Sequence, residues 1–231
     1  MEVIGHRGGA ALAPENTLAA IRAGLEAGAD GVEVDVRMSS DGLAVLMHDP
    51  DVSRTTSGSG RVADLKAAEL ASLGVPTLAA VLELVPVDRR LIVEVKGTPW
   101  ETGHDPNEPV ARAVAALLAD RGARRVTVSS FNPIALAIVR TNAPGVSTGV
   151  LTPPAFDLRS NLAAVRDGDH DESHVPVEIL EESYVAEAHE QGRPVLAWTV
   201  NDPDVIRRCR DWGVDGVITD DPPVALTALG R

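Results

Sequence analysis

Two carboxylates and a histidine fall within one short stretch, Gly31 to Asp51, GVEVDVRMSSDGLAVLMHDPD. Its first half alternates, with Val32, Val34 and Val36 on one parity and Glu33, Asp35 and Arg37 on the other, which is the period of a β-strand. A buried strand does not keep a fully charged face without partners for the charges. Carboxylates two apart on one strand offer hard oxygen ligands, the kind that Mg²⁺ or Ca²⁺ takes. Taken alone, the stretch also fits a sheet edge with its polar face in water. Ser39-Ser40-Asp41-Gly42 reads as a tight turn and Leu43 to His48 as the return arm of a hairpin. A turn centred near Ser40 and Asp41 sets Leu46 opposite Asp35 and His48 opposite Glu33, to within about one residue.

Charged residues recur at the ends of other apolar runs. Glu2 to Gly5 leads into His6-Arg7-Gly8-Gly9, and Leu91 to Lys96 ends on Glu94 and Lys96 with one parity charged. Ser129 to Phe131, Trp198 to Asn201, and Thr219 with Asp220 close three more. Glu33, Asp35 and Glu94 suffice to hold one divalent cation, Mg²⁺ or Ca²⁺, with positions left for water and substrate. Arg7 and Lys96 suit phosphate oxygens. His6 and His48 can then divide proton transfer, one serving the attacking oxygen and the other the leaving group. Phe131 and Trp198 are the aromatic candidates for substrate contact; Trp198 fits an apolar wall for an alcohol moiety and a barrel-core aromatic equally well.

The elements that must position these groups follow from periodicity. Strands alternate with helices along the chain: a helix from about Thr17 to Ala27, one at Pro76 to Leu84, the strand Leu91 to Lys96, a helix at Val110 to Arg121, a strand at Val126 to Ser130 and a helix from Asn132-Pro133. Strands at Val146 to Leu151, near Ser173 to Val175, at Val195 to Val200 and at Gly216 to Thr219 alternate with helices at Leu158 to Val165, Glu181 to Gln191, Pro203 to Trp212 and Pro223 to Leu229. Eight strands, apart from the hairpin's return arm, with short connections predict an α/β fold, a (β/α)₈ TIM barrel with a short β-hairpin and a small insertion, about residues 50–75, after the second strand. The insertion is expected to cover the site's mouth, and residues 1–231 are expected to form a single catalytic domain. No dinucleotide fingerprint or P-loop occurs. In a barrel all the strand ends named above open on one face, where function gathers.

Composition narrows the partners. The 231 residues carry 34 acidic and 21 basic side chains, net −13, which argues against nucleic acid and anionic membranes as partners. Aromatics are only 3% of the chain, so Ala, Val, Leu and Ile must build the core. The lone Cys209 excludes an internal disulfide and fits a core position on a helix. No run is long enough to span a membrane and no cleavable leader precedes the first strand, so a cytoplasmic protein without stable membrane insertion is expected.

The same residues fall into an ordered set of motifs: HRGG at His6, PENT at Pro14, EVDV with Glu33 and Asp35, HD at His48, RTTSGSG from Arg54, PTL at Pro76, EVK at Glu94, SSF at Ser129, WTVN at Trp198 and DGVITDDP from Asp215. In order and spacing they resemble the glycerophosphodiester phosphodiesterases over nearly the whole chain. The resemblance implies a (β/α)₈ barrel and divalent-metal-dependent hydrolysis of glycerophosphodiesters to sn-glycerol 3-phosphate and an alcohol. It implies His6 and His48 as the acid/base pair, Glu33, Asp35 and Glu94 as metal ligands, and Arg7 and Lys96 as phosphate contacts. In this family the segment between GSG and PTL is often longer than here. Two alternatives remain at this stage, a lysophospholipase D or sphingomyelinase D type activity on lysolipids and a non-catalytic phosphate-ligand binding barrel.

Overall fold

In the computed structural model, which describes residues 1–101, 104–119, 125–153 and 157–231, the chain opens with strand β1 (Glu2–Gly5) and helix α1 (Leu18–Glu26). Strand β2 (Gly31–Met38) and its return arm β3 (Ala44–Leu46) follow, then an excursion containing α2 (Ala67–Ser72). After α3 (Leu78–Leu84) the units alternate: β4 (Arg90–Val95), α4 (Pro109–Ala119), β5 (Val126–Ser130), α5 (Pro133–Asn142), β6 (Ser147–Leu151) and α6 (Leu158–Asp167). The chain ends with β7 (Glu172–Pro176), α7 (Glu182–Glu190), β8 (Val195–Trp198), α8 (Pro203–Asp211), β9 (Gly216–Thr219) and α9 (Pro222–Ala228).

Eight strands pair in parallel in the order β1-β9-β8-β7-β6-β5-β4-β2, and a β1–β2 pairing closes the ring. This is the expected (β/α)₈ barrel. β1 pairs with the first residues of β2, at Gly31 and Val32, while antiparallel β3 takes its last, Val36 to Met38. The hairpin therefore continues β2 beyond the barrel rim. Its register differs by one residue from expectation: Leu46 faces Val36 rather than Asp35, and the Met47 amide donates to the Asp35 carbonyl at 3.0 Å. The turn is centred on Asp41 because the Ser39 hydroxyl bonds both Asp41 and the Leu43 amide, at 2.7 and 3.0 Å, stretching the loop to five residues. His48 accordingly lies one position away from the place expected opposite Glu33.

Other boundaries move by small amounts for local reasons. Thr17, Thr77, Asn132, Asp157, Asp202 and Asp221 each cap a helix by accepting a backbone N–H, so the helices begin just after them. β8 stops at Trp198, short of the expected Val200. The expected helix Val110 to Arg121 is α4, and its last two residues lie outside those described.

Parity decides where each side chain goes. Val32, Val34 and Val36 pack outward with α3 and α4 in the main apolar cluster, while Val175, Val195, Ala197 and Cys209 belong to a second one across the barrel. The inward parity of β1, β4, β8 and β9 supplies a central layer of Ile4, Ile92, Leu196 and Ile218. Below it, a charged floor is built from Arg90, which bonds Glu2 at 2.6 Å, Thr127 at 3.2 Å and the Glu172 carboxylate. Burial works against Glu172's charge, but His174 and Arg90 outweigh it and hold the carboxyl down at about 2. The interior is thus filled and closed below, so only the strands' C-terminal ends form a mouth. The excursion carries its own small core of Val52, Val62, Leu70 and Val75 against Val45 and Met47 of the hairpin arm. No helix among the described residues is long and apolar enough to cross a membrane.

Candidate active site

Glu33 and Asp35 lie on β2's inward parity, and the parallel register sets Asp35 beside Glu94 of β4. Ligand oxygens of the three carboxylates lie within 4.8 Å of one another. Asp35, 1% exposed, is held from three sides. Asn16 donates to its Oδ2 at 2.7 Å and accepts from its amide at 3.0 Å; Lys96 Nζ lies 2.8 Å from Oδ1, and Arg7 Nε 3.3 Å from Oδ2. Burial opposes its charge, yet Lys96 and Arg7 prevail and keep Asp35 well below the usual carboxylate range. Glu33 is treated differently. Its Oε2 accepts the Arg7 amide at 2.9 Å, its Oε1 is buried with no hydrogen-bond partner among the described residues, and burial together with the Asp35 charge pushes its carboxyl up to about 8.

The turns that brace this pair are strained. Arg7 and Asn16 both sit at positive φ, 51° and 56°, a conformation that costs non-glycine residues roughly 1 kcal/mol or more. Each thereby aims a donor at the acidic pair. Gly8 makes the first turn possible: at φ 92° a Cβ there would lie 2.6 Å from the Ile21 amide nitrogen, so α1 packs directly on the HRGG backbone.

The donor set fits a hard divalent cation. Three carboxyl groups face only two cations, Arg7 and Lys96, so without a further cation one of them, Glu33, is driven toward its protonated form, and its buried oxygen without a donor is the group a metal ligand needs. Lys96 bridges Asp35 and Glu94, while Arg7 is anchored to Glu15 at 2.7 Å.

Each imidazole is paired with a carboxylate. His6 Nδ1 lies 2.6 Å from Asp220 Oδ1, and Asn201 donates to the other Asp220 oxygen at 2.6 Å. His48 Nδ1 lies 2.6 Å from Asp49 Oδ1, and Arg37 Nε donates to the His48 carbonyl at 2.8 Å. An ionised carboxylate only accepts, so Nδ1 carries the proton in both rings and Nε2 is the nitrogen left for chemistry. The surroundings then push the two apart. Burial lowers His6, but Asp220 and the Glu33 charge outweigh it and raise the ring above its ordinary value. Burial and the neighbouring Lys96 lower His48, beyond what Asp35 and Asp49 restore.

Phe131 and Trp198 meet edge to face with ring centroids 5.8 Å apart. Trp198 packs on the central Ile4, Ile92, Leu196 and Ile218 layer, so it caps the barrel core and also walls the mouth. Glu33, Asp35, Glu94, Arg7 and Lys96 are thus gathered with both imidazoles within electrostatic reach of Asp35. Sequence reasoning gave no role to Asn16, Glu15, Asp49, Asp220 or Asn201. Asp49 and Asp220 had a readable signal, since one adjoins His48 and the other closes a strand on the side where His6 emerges.

A closed parallel barrel whose single mouth holds a buried acidic cluster, phosphate-suited cations and two carboxylate-paired imidazoles defines a (β/α)₈ hydrolytic enzyme. The chain belongs to the glycerophosphoryl diester phosphodiesterase family, whose sequence model matches residues 6–224. It is 32% identical over 244 residues to a glycerophosphodiester phosphodiesterase of Caldanaerobacter subterraneus subsp. tengcongensis, covering 99% of this chain and 98% of the relative. Among solved structures it is similar to a phosphodiesterase of Oleispira antarctica in complex with the product sn-glycerol-3-phosphate, with a TM-score of 0.85, 28% identity, and coverage of 100% of this chain and 97% of the other. A glycerophosphodiester phosphodiesterase of Thermotoga maritima superposes with a TM-score of 0.81 at 31% identity, covering 100% and 98% of the two chains.

Proposed function

We propose that this chain, as one catalytic domain, hydrolyses glycerophosphodiesters to sn-glycerol 3-phosphate and an alcohol. The observation that carries the reading is the pair of imidazoles, each oriented by its own carboxylate and tuned in opposite directions, on either side of a buried acidic cluster. A division of labour between acid and base rests on two groups with separated proton affinities. His48, kept neutral beside Lys96, takes the proton of the attacking hydroxyl at Nε2. His6, favoured as imidazolium by Asp220, gives a proton from Nε2 to the departing alkoxide oxygen as the P–O bond breaks. With water as the attacking group, one P–O bond forms as the other breaks and one water is consumed; both rings return to their starting states when His48 releases its proton to solvent and His6 takes one up.

Arg7 and Lys96 hold the phosphate's non-bridging oxygens, and Phe131 with Trp198 lies against the carbon chain. Glu33, Asp35 and Glu94 would hold one divalent cation, Mg²⁺ or Ca²⁺. When bound, such an ion supplies Lewis-acid stabilisation of charge building on phosphoryl oxygens. The product complex of the Oleispira relative supports the glycerol phosphate side of this assignment.

One observation favours a second substrate class. Leu12, Trp100 and Ile134 are among the few large apolar side chains left exposed, and they follow β1, β4 and β5 on the face where the mouth opens. A lysophospholipase D type activity would use such a rim to meet lipid aggregates. A panel of glycerophosphodiesters and lysophosphatidylcholine, run with Mg²⁺, Ca²⁺ or chelator, tests both readings. Release of sn-glycerol 3-phosphate from the water-soluble diesters, abolished by chelator, is the expected result. Preferential release of choline from the lysolipid would replace it, and binding of diesters without any turnover would point to a non-catalytic barrel.

A further inference from the structure

We propose that Arg54, presented by the excursion after the hairpin, is a positioning residue for the reaction: its one guanidinium fixes both the carboxylate that orients His48 and the carboxylate that anchors Arg7. The inference rests on the roles given to His48 and Arg7 above. Arg54 Nη1 and Nη2 donate to the two oxygens of Glu15 at 2.9 and 2.7 Å. On the other side, Nε donates to Asp49 Oδ2 and Nη2 reaches Asp49 Oδ1 at 3.2 Å. Two forked pairs on one planar group set the direction of both carboxylates, which a point charge on a flexible stem cannot do.

The two carboxylates depend on it. Among the described residues, the Asp49 carboxylate is held only by His48 and Arg54, and the Glu15 carboxylate only by Arg7 and Arg54. Asp49 is the chain neighbour of His48, so their contact is local and needs a third group to choose one orientation. Arg54 also keeps Asp49 ionised, its hydrogen bond being the first cause that holds that carboxyl at about 2. The guanidinium itself is presented rigidly. The Ser53 amide bonds Asp51 at 2.8 Å, the Thr56 amide and hydroxyl bond the Val52 carbonyl at 3.1 and 2.8 Å, and Val52 is anchored in the excursion's own core. The Arg54 side chain is 48% exposed, and ion pairs at that exposure add little to stability. Their value lies in orientation. The excursion thus reaches the site as a clamp on His48 and Arg7.

The test compares wild type with Arg54→Ala, Arg54→Lys and, as a control in the same segment, Arg61→Ala, whose side chain is exposed. Release of sn-glycerol 3-phosphate is measured at steady state, and long-range ¹H–¹⁵N spectra of His48 read the ring tautomer. Arg54→Ala is expected to lower kcat by about 10–100-fold with KM moving less than about threefold, and to let His48 exchange between tautomers where wild type holds Nδ1–H. Arg54→Lys keeps the charge but not the forks, so it should fail to restore kcat, whereas Arg61→Ala should match wild type. Full activity in Arg54→Lys, or an unchanged kcat and a fixed tautomer in Arg54→Ala, overturns the proposal. If Arg54→Ala does not fold, Arg54→Gln replaces it, with the same loss of kcat and the same tautomer exchange expected. A wild type that releases no product from any diester would sink the functional reading instead, and the His48 tautomer would still decide the role of Arg54.

Discussion

Removing Asp220 isolates the part of the proposed mechanism that falls to His6. In Asp220→Ala the imidazole loses the acceptor 2.6 Å from Nδ1, while Glu33 and Asp35 remain as groups that favour the charged ring. A hydrogen bond to a charged partner contributes about 1.5–3 kcal/mol. If that interaction is at full strength only when His6 is an imidazolium, its loss slows the proton-donating step by about 10- to 150-fold, at 1.36 kcal/mol per factor of ten. Asp220→Asn keeps a neutral acceptor and the shape of the side chain, so its loss should be several-fold smaller.

The sign of the accompanying pH effect follows from the same contacts. Burial lowers His6 and Asp220 raises it, the net being a raised proton affinity. Without Asp220 burial is opposed less, the ring loses its proton at lower pH, and the alkaline limb of the kcat profile moves toward acid. The measurement is kcat against pH for wild type and both variants, with a substrate whose alcohol is a poor leaving group so that protonation of that oxygen limits the rate. An alkaline limb that stays in place, or a kcat unchanged in Asp220→Ala, refutes the assignment of His6 as proton donor. An acid limb that moves instead would exchange the roles of the two imidazoles.

Two further perturbations test the two ends of the barrel. Arg90→Met leaves the nearly buried Glu172 and Glu2 without their shared cation, a loss of about 3–5 kcal/mol for a broken buried pair. At about 2–4 °C per kcal/mol in a chain of this size, the melting temperature should fall by about 6–20 °C. Because Glu172 is held at about 2 against an ordinary 4.5, it contributes about 3 kcal/mol that is present above about pH 4.5 and lost as pH falls toward 2. Urea unfolding of wild type should show that acid limb, and Arg90→Met should show a flatter one; equal limbs would remove Arg90 from the account. At the mouth, Glu33→Gln removes a proposed oxygen ligand with little change of shape, so calorimetric Mg²⁺ or Ca²⁺ affinity should drop by more than the roughly 10–100-fold that loss of an outer partner costs, whereas unchanged affinity would place the cation elsewhere.

How much of this was legible depended on how local the cause was. Val32, Val34 and Val36 against Glu33 and Asp35 is a period-two pattern, and the structure keeps it residue for residue. The eight strands were readable for the same reason, and the barrel then gathers their ends automatically. The hairpin register was not, because it turns on a side-chain bond from Ser39 to Asp41 that centres the turn one half-step later. Periodicity does not encode that. Asn16 and Glu15 in PENT and Arg54 in RTTSGSG stand in motifs but received no role, because their contacts are with residues elsewhere in the chain: Asn16 bonds Asp35 from the loop before α1, and Arg54 joins Glu15, 39 positions away in sequence, to Asp49. A polar residue in a turn looks the same in sequence whether it faces water or a catalytic partner. Trp198 was left between two readings, and the structure shows them to be compatible, since a ring at the last inward position of β8 both covers the core and faces the mouth.

Charge sits at both ends of this barrel, so charge alone does not mark the site. The floor pairs Glu2 and Glu172 with Arg90 and Arg125, acids and bases in equal number, and the Arg90 bonds are met by Glu2, Glu172 and Thr127. Those ion pairs are matched, with one buried atom beside them, His174 Nδ1 next to Glu172, left without a partner among the described residues. The mouth sets Glu33, Asp35 and Glu94 against Arg7 and Lys96 and, among the described residues, leaves Glu33 Oε1 and Trp198 Nε1 buried without hydrogen-bond partners. Unmet buried polar atoms cost stability, and of the four left-handed non-glycine residues three, Arg7, Asn16 and Glu108, lie in loops after the strands' C-terminal ends and one, Asp169, before β7. A fold tolerates such concentrated cost where a ligand can later meet it. The carboxyl groups left over at the mouth, against the matched ion pairs of the floor, rather than the count of charges in either, mark the end of the barrel where the chemistry is proposed.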